Sequence, residues 1–260
     1  MTRPALHLLL AAVLVGPGAV HAQQGRVTYT VTTQLDVQLP PEMAHLEGQF
    51  PSESTDQRVL LFDESAAVTQ RLASEEPEEQ ARDFQETEGE GVRVIVRRSG
   101  SDTEEKTHVD LATGVVTEIR DLLGREFRVV GDRPRIAWRL TGEQSEFLGL
   151  PCQKAVAQRD STTIEAWFTP AIPASVGPET YGGLPGLILV LTDGKQTFEA
   201  TDVDLSPLAD GTIEVPTGGR QVTSEEFAEI VEERMRDLET MGLSNSSSGG
   251  SRVRIIRSGN

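Results

Sequence analysis

Between residues 92 and 141 the chain is cut at short, regular intervals by turn chemistry, and this punctuation restricts the fold more than any other feature. Ser99-Gly100, Thr113-Gly114, Gly124 and Asp132-Arg133-Pro134 separate runs at 92–98, 107–112, 115–122, 126–131 and 135–141. Each run is rich in β-branched or alternating apolar residues, as half-buried strands are. No helix fits between them, so the spacing predicts an antiparallel meander and excludes the strand–helix–strand rhythm of a parallel sheet. Residues 26–38 put Val27, Tyr29, Val31, Leu35 and Val37 on one face and mostly Thr, Gln and Asp on the other, a period of two that marks a long strand with one wet side. A further strand is expected at 57–64.

Two segments depart from the strand pattern. Residues 74–91 carry eight acids against Arg82 alone, a self-repelling composition that predicts a mobile loop. Residues 222–242 open with Thr223 and Glu226 in capping-box spacing. Phe227, Ile230, Val231, Met235 and Leu238 then recur near helical spacing, which predicts a helix over 223–241 with one apolar stripe docked on the sheet. A Ser/Gly linker follows, and within 243–260 the closing run Arg252 to Arg257 reads either as an edge strand or as a basic tail. The expected fold is therefore mainly β, an antiparallel meander forming one domain over 23–242, with one amphipathic helix.

Residues 1–22 combine Arg3, an apolar run from Ala5 to Val15 and a small-residue exit at Val20-His21-Ala22, the layout of a cleaved export signal. The expected location is periplasmic or extracellular. The apolar run is too short to span a bilayer, and no later segment approaches the length a spanning helix needs. A formal charge of −17 argues against nucleic acid or anionic lipid as partner, because phosphate binding is driven by clustered Lys and Arg. Cys152 is the single cysteine, so no internal disulfide can form and the fold must rely on burial.

In Leu184-Pro185-Gly186-Leu187, Pro presets φ at the second turn position and Gly suits the positive φ of a type II turn at the third. The turn would deliver the chain into the apolar run from Leu187 to Leu191, and Asp193-Gly194 would return it as a hairpin. No Lys accompanies the glycines and a strand follows them, so a phosphate cradle is not expected.

These residues carry a resemblance. The run from Gly182 to Leu191 resembles the signature of the GLPGLI family, secreted proteins known mostly from Bacteroidetes and relatives. Trp138 with the later Gly149-x-x-Cys152-x-x-Ala155 strand is similar to the family's tryptophan segment. Trp167, Thr169, Pro170, Pro173, Gly177, Pro178, Gly183, Leu184, Pro185, Gly186, Leu187 and Ile188 follow the family's motif order. The match is detailed over 135–203 and looser elsewhere; the acidic 74–91 stretch and Glu179-Thr180 depart from it. The resemblance implies no reaction. It implies a fold similar to curved half-barrels of the lipoprotein-carrier type, which cradle apolar groups.

The candidate chemistry is sparse. After residue 22 the chain has two histidines, His45 and His108, with no motif joining them to Cys152, so no catalytic residue, cofactor or metal site is expected. Cys152 reads as a buried inert thiol or as a soft-metal or partner-pairing thiol. Trp138, Trp167, Phe168 and Tyr181 line a ligand groove or close the core. The resulting expectation is a non-catalytic binding or accessory protein holding an apolar ligand or peptide. The alternatives are an envelope protein that serves an outer-membrane transporter through a sheet edge, and thiol or metal binding at Cys152.

Overall fold

The computed structural model describes residues 24–35, 52–72, 79–85, 91–98, 105–240 and 251–258. Residues 1–22, expected to be an export signal, His45 and the expected linker residues 243–250 lie outside the described residues. Within the described residues, fifteen strands and one helix follow in order: β1 (Gly25–Gln34), β2 (Glu53–Phe62), β3 (Ala66–Arg71), β4 (Glu79–Gln85), β5 (Gly91–Arg98), β6 (Lys106–Asp110), β7 (Val115–Leu122), β8 (Arg125–Asp132), β9 (Arg139–Phe147), β10 (Leu150–Arg159), β11 (Thr162–Thr169), β12 (Leu187–Asp193), β13 (Gln196–Asp204), β14 (Arg220–Thr223), α1 (Ser224–Thr240) and β15 (Ser251–Ser258).

Twelve strands form one open sheet in the order β14-β8-β7-β6-β3-β2-β1-β13-β12-β11-β10-β9. It is two antiparallel meanders joined where β1 pairs with β13, Val31 opposite Phe198. The mainly β, meandering fold expected from the turn spacing is present, with one parallel exception: β14 runs alongside β8. β4, β5 and β15 form a separate three-stranded sheet.

Several segments differ from the sequence reading. Residues 79–85 of the acidic stretch form a strand, not a loop, because β5 supplies a ladder for them; Glu79 stands opposite Arg97 and Asp83 opposite Arg93. Residues 66–71 form β3, which the alternation test misses because Ala66, Ala67 and Val68 are buried on both faces. The strand expected at 135–141 begins instead at Arg139. Residues 133–138 stay outside the sheet, where the side chains of Arg133 and Trp138 bind carbonyls of a distant segment.

Register fixes which residues share a face, since directly opposed residues project to the same side. Tyr29 faces Arg58 and Ala200, and Val31 faces Phe198, so Val27, Tyr29, Val31, Leu60, Phe62, Phe198, Leu191 and Ala166 build one apolar face over the β10–β13 and β1–β2 region. The helix caps a smaller cluster at the other end. Its capping box is complete: the Thr223 amide donates to Glu226 Oε2 at 2.8 Å and the Glu226 amide to Thr223 Oγ1 at 3.1 Å. Phe227 meets Phe127 edge-on at 5.5 Å, and Ile230 joins Val129 and Val222. Met235 of the expected docking stripe is exposed, so α1 docks through its first half.

Candidate functional site

The segment between β11 and β12, residues 170–186, holds most of the motif and does not form strand. It folds back over the apolar face, burying Ile172, Val176, Tyr181 and Leu184 among Phe168, Leu187, Ile188, Leu189 and Leu191. Main-chain bonds stitch it down: the Leu187 amide donates to the Ile172 carbonyl at 3.0 Å and the Ile188 amide to the Val176 carbonyl at 3.1 Å. Side chains from distant parts of the chain complete the seam. The buried Tyr29 hydroxyl donates to the Ile188 carbonyl at 2.6 Å. Arg133 donates to the carbonyls of Thr180 and Tyr181, both at 2.8 Å, and Trp138 Nε1 to that of Gly182 at 2.8 Å. Thr169 Oγ1 donates to the Pro151 carbonyl at 2.9 Å and accepts from the Ala171 amide.

The motif glycines serve close approach more than turn geometry. At Gly186 a Cβ would lie 2.1 Å from the Thr169 carbonyl oxygen. The type II turn expected to need a positive φ at Gly186 is not what the chain builds: the positive φ, 85°, falls on the exposed Gly183. Leu187 and Ile188 are fully buried, Gly177 and Pro178 are buried, and Pro170, Pro173 and Pro185 are exposed on the outer side of the segment. Phe168 and Tyr181 are core residues, while Trp138 and Trp167 are half-buried at its margin. The four aromatics proposed to line a groove thus pack on or beside the core cluster that residues 170–186 cover.

Cys152 is buried near the start of β10, its thiol 3.4 Å from the Leu150 carbonyl oxygen, and burial pushes its pKa up. His108 is buried on β6 between Val68 and Thr117, and desolvation lowers its pKa. Six strands of the sheet lie between β6 and β10, so this histidine and this thiol do not meet. Among the described residues no group of three or more His, Cys, Asp or Glu is arranged to hold a metal ion.

Two polar clusters flank the covering segment. Along β2 the inward face changes from Phe62 and Leu60 to Arg58 and Asp56. Arg58 pairs with Glu179 of the motif segment and, at 3.3 Å, with Glu105; Arg71 binds Asp56 and Glu105, both at 3.2 Å. Thr107 Oγ1 donates to Glu179 Oε2 at 2.8 Å, and the Glu179 amide donates to Thr69 Oγ1 at 2.9 Å. Glu179 holds a φ of 54°, unusual for a side chain of its kind. Asp56 Oδ1 and Arg58 Nε face each other at 3.7 Å, and these two atoms and Arg71 Nε are buried with no hydrogen-bond partner among the described residues. In the second cluster Tyr181 donates to Asp193, which also binds Arg159; burial, followed by the carboxylate, pushes the phenol pKa up.

Among the described residues the 12-stranded sheet ends at β14 on one side and at β9 on the other. β9 is a terminal strand, with β10 on one side and no strand on the other among the described residues. Its ladder is interrupted by a bulge around Gly142, whose φ is 84°. Residues from Glu143 to Glu146 are exposed, Phe147 is half-buried and meets Trp167 at a tilt of 58° with ring centroids 5.6 Å apart, and Lys154 lies over the Trp167 ring while pairing with Glu165 at 3.0 Å. The β9–β10 hairpin turns on Leu148-Gly149, and Leu148 is exposed with a φ of 53°.

The stretch from the residue before β3 through the first half of β12 carries the family match. Residues 65–190 match Porph_ging, described as a protein of unknown function. The Porph_ging span therefore includes both polar clusters' motif-side partners and the whole covering segment. No curated protein matches the chain. Among solved structures it is similar to two of PNGF-II, in the C2 and P21 space groups, at 15% identity with TM-scores of 0.50 and 0.49; 82% of this chain is covered in each. The chain spans about a third of the PNGF-II length, 33% and 34%. An uncharacterized conserved protein from Thermus thermophilus is similar at 13% identity and a TM-score of 0.33, covering 76% of this chain and 90% of that one. At 15% identity and a TM-score of 0.50, the likeness to PNGF-II in the C2 space group concerns fold alone. No helix of the described residues is long and apolar enough to cross a membrane.

Sequence reading misses Arg58, Arg71, Glu105, Thr107, Arg133, Arg159 and Asp193. Arg58 has a signal: it interrupts the inward side of an otherwise apolar strand end. Arg133 has none, since Asp-Arg-Pro reads only as a turn.

Proposed function

We propose that this chain is an exported, non-catalytic accessory protein of the GLPGLI family that engages a partner polypeptide by strand addition at β9. The observation that carries the reading is the position of β9 as an exposed terminal strand of a 12-stranded sheet. The outer side of an edge strand presents alternate N–H and C=O groups to any extended chain that aligns with them. The layout of residues 1–22 supports export. An apolar ligand on the motif face would have to displace residues 170–186, and a metal at Cys152 would have to reach a buried thiol, so the edge is favoured over both.

A photo-reactive side chain placed at Ser145 on β9 should yield one discrete covalent adduct in the native envelope. The same group at Thr201, exposed on the central strand β13, should yield none. Equal labelling from both positions, or no adduct at Ser145, would overturn the reading.

A further inference from the structure

The side chains of β9 restrict what can add to it. Glu143 approaches Lys154 at 3.7 Å, and Phe147 packs at a tilt against Trp167, so Glu143, Ser145 and Phe147 lie on the side of Lys154 and Trp167. Gln144 and Glu146 alternate to the opposite side. The stretch from Glu143 to Phe147 therefore offers two exposed carboxylates, one on each face, with no base among these five residues. Lys154 is already engaged by Glu165 and Glu143. Beyond the carboxylates come Phe147 and the exposed Leu148.

A charged, bulged edge is a common guard against indiscriminate pairing. The same guard becomes a contact for a strand of opposite charge, because directly opposed charges of unlike sign stabilise a pair of strands and like charges oppose it. Resting on the edge reading above, we propose that the partner strand is basic and apolar: in antiparallel alignment it places an apolar residue against Phe147, Lys or Arg opposite Glu146, two spacer residues, and Lys or Arg opposite Glu143. The chain's net charge of −17 adds long-range attraction for such a strand and repulsion for an acidic one.

This pattern occurs in the chain's own β15 as Val253, Arg254, two isoleucines and Arg257. There it is held in an antiparallel ladder with β5, so its sequence serves as a ready probe. The full-length protein would be mixed with a synthetic peptide of sequence SRVRIIRS, or with its charge-reversed form SEVEIIES. Hydrogen exchange over 139–147 and fluorescence anisotropy would both be read. The basic peptide should slow exchange in 144–147 and bind more weakly as salt rises, and the Glu143→Gln, Glu146→Gln double variant should lose about fivefold in affinity. Equal protection by both peptides would overturn the proposed chemistry while leaving the edge reading intact. Protection by neither would overturn both.

Discussion

Residues 170–186 and strand β9 both break the regular sheet, and they do so in opposite ways. The covering segment has almost no ladder of its own, yet it is held by side chains from far along the chain: Arg58, Thr69, Thr107, Arg133 and Trp138. β9 has a ladder on one side and, among the described residues, no strand on the other, with a bulge and a left-handed leucine beside it. Irregular backbone here marks the most tightly specified part of the molecule, while regular strand marks the available part. Keeping shape should matter in the first region and keeping chemistry in the second.

Mutations that test the contrast span a wide range of effect. Phe168→Ala, under the segment, removes a fully buried ring and should cost about 4 kcal/mol in a urea unfolding titration. Gly186→Ala forces a methyl against the Thr169 carbonyl, and a loss of about 3 kcal/mol by the same titration is expected. If it were neutral, the close approach would not be what fixes the segment. Arg58→Met leaves the Glu179 carboxylate without its cation, with an expected loss of about 2 kcal/mol by calorimetry. Tyr29→Phe deletes one buried donor to the Ile188 carbonyl and should cost about 1 kcal/mol.

At the open edge the sign reverses. Leu148→Asn replaces a side chain poorly suited to positive φ with one that tolerates it, and should raise stability by about 0.5 kcal/mol. Leu123 occupies the same position in the β7–β8 hairpin, before Gly124, with a φ of 55°. Leu123→Asn should stabilise equally; only Leu148→Asn should weaken binding of the basic peptide. Matching effects of the two on binding would show that the β9–β10 tip is not special.

What is legible in the sequence follows the same division. β7 can be placed to the residue because Thr113-Gly114 and Gly124 fence it at both ends. The helix start is legible because a capping box is a local reciprocal bond. β3 is not, since burial on both faces erases the period of two. The strand near Trp138 is placed too early because an indole reads as a strand residue until its carbonyl partner, 44 residues away, is known. Dihedral preference suggests a turn role for Gly186, whereas the carbonyl of Thr169 decides it. The pairing of Arg58 with Glu179 spans 121 residues and has no local signature at all.

The place of β1 in the middle of the sheet has a consequence in time. β1 finds its first neighbour, β2, across a single connection, but its other edge must wait for β13, and its Tyr29 must wait for Ile188, 159 residues later. During synthesis, therefore, the strand that joins the two meanders has no β13 to pair with until residues 196–204 have been made. Contacts of such long sequence separation close slowly. The unfinished protein is for that interval a far more adhesive object than the finished one, and its escape from aggregation depends on what holds β1 until its late partner arrives.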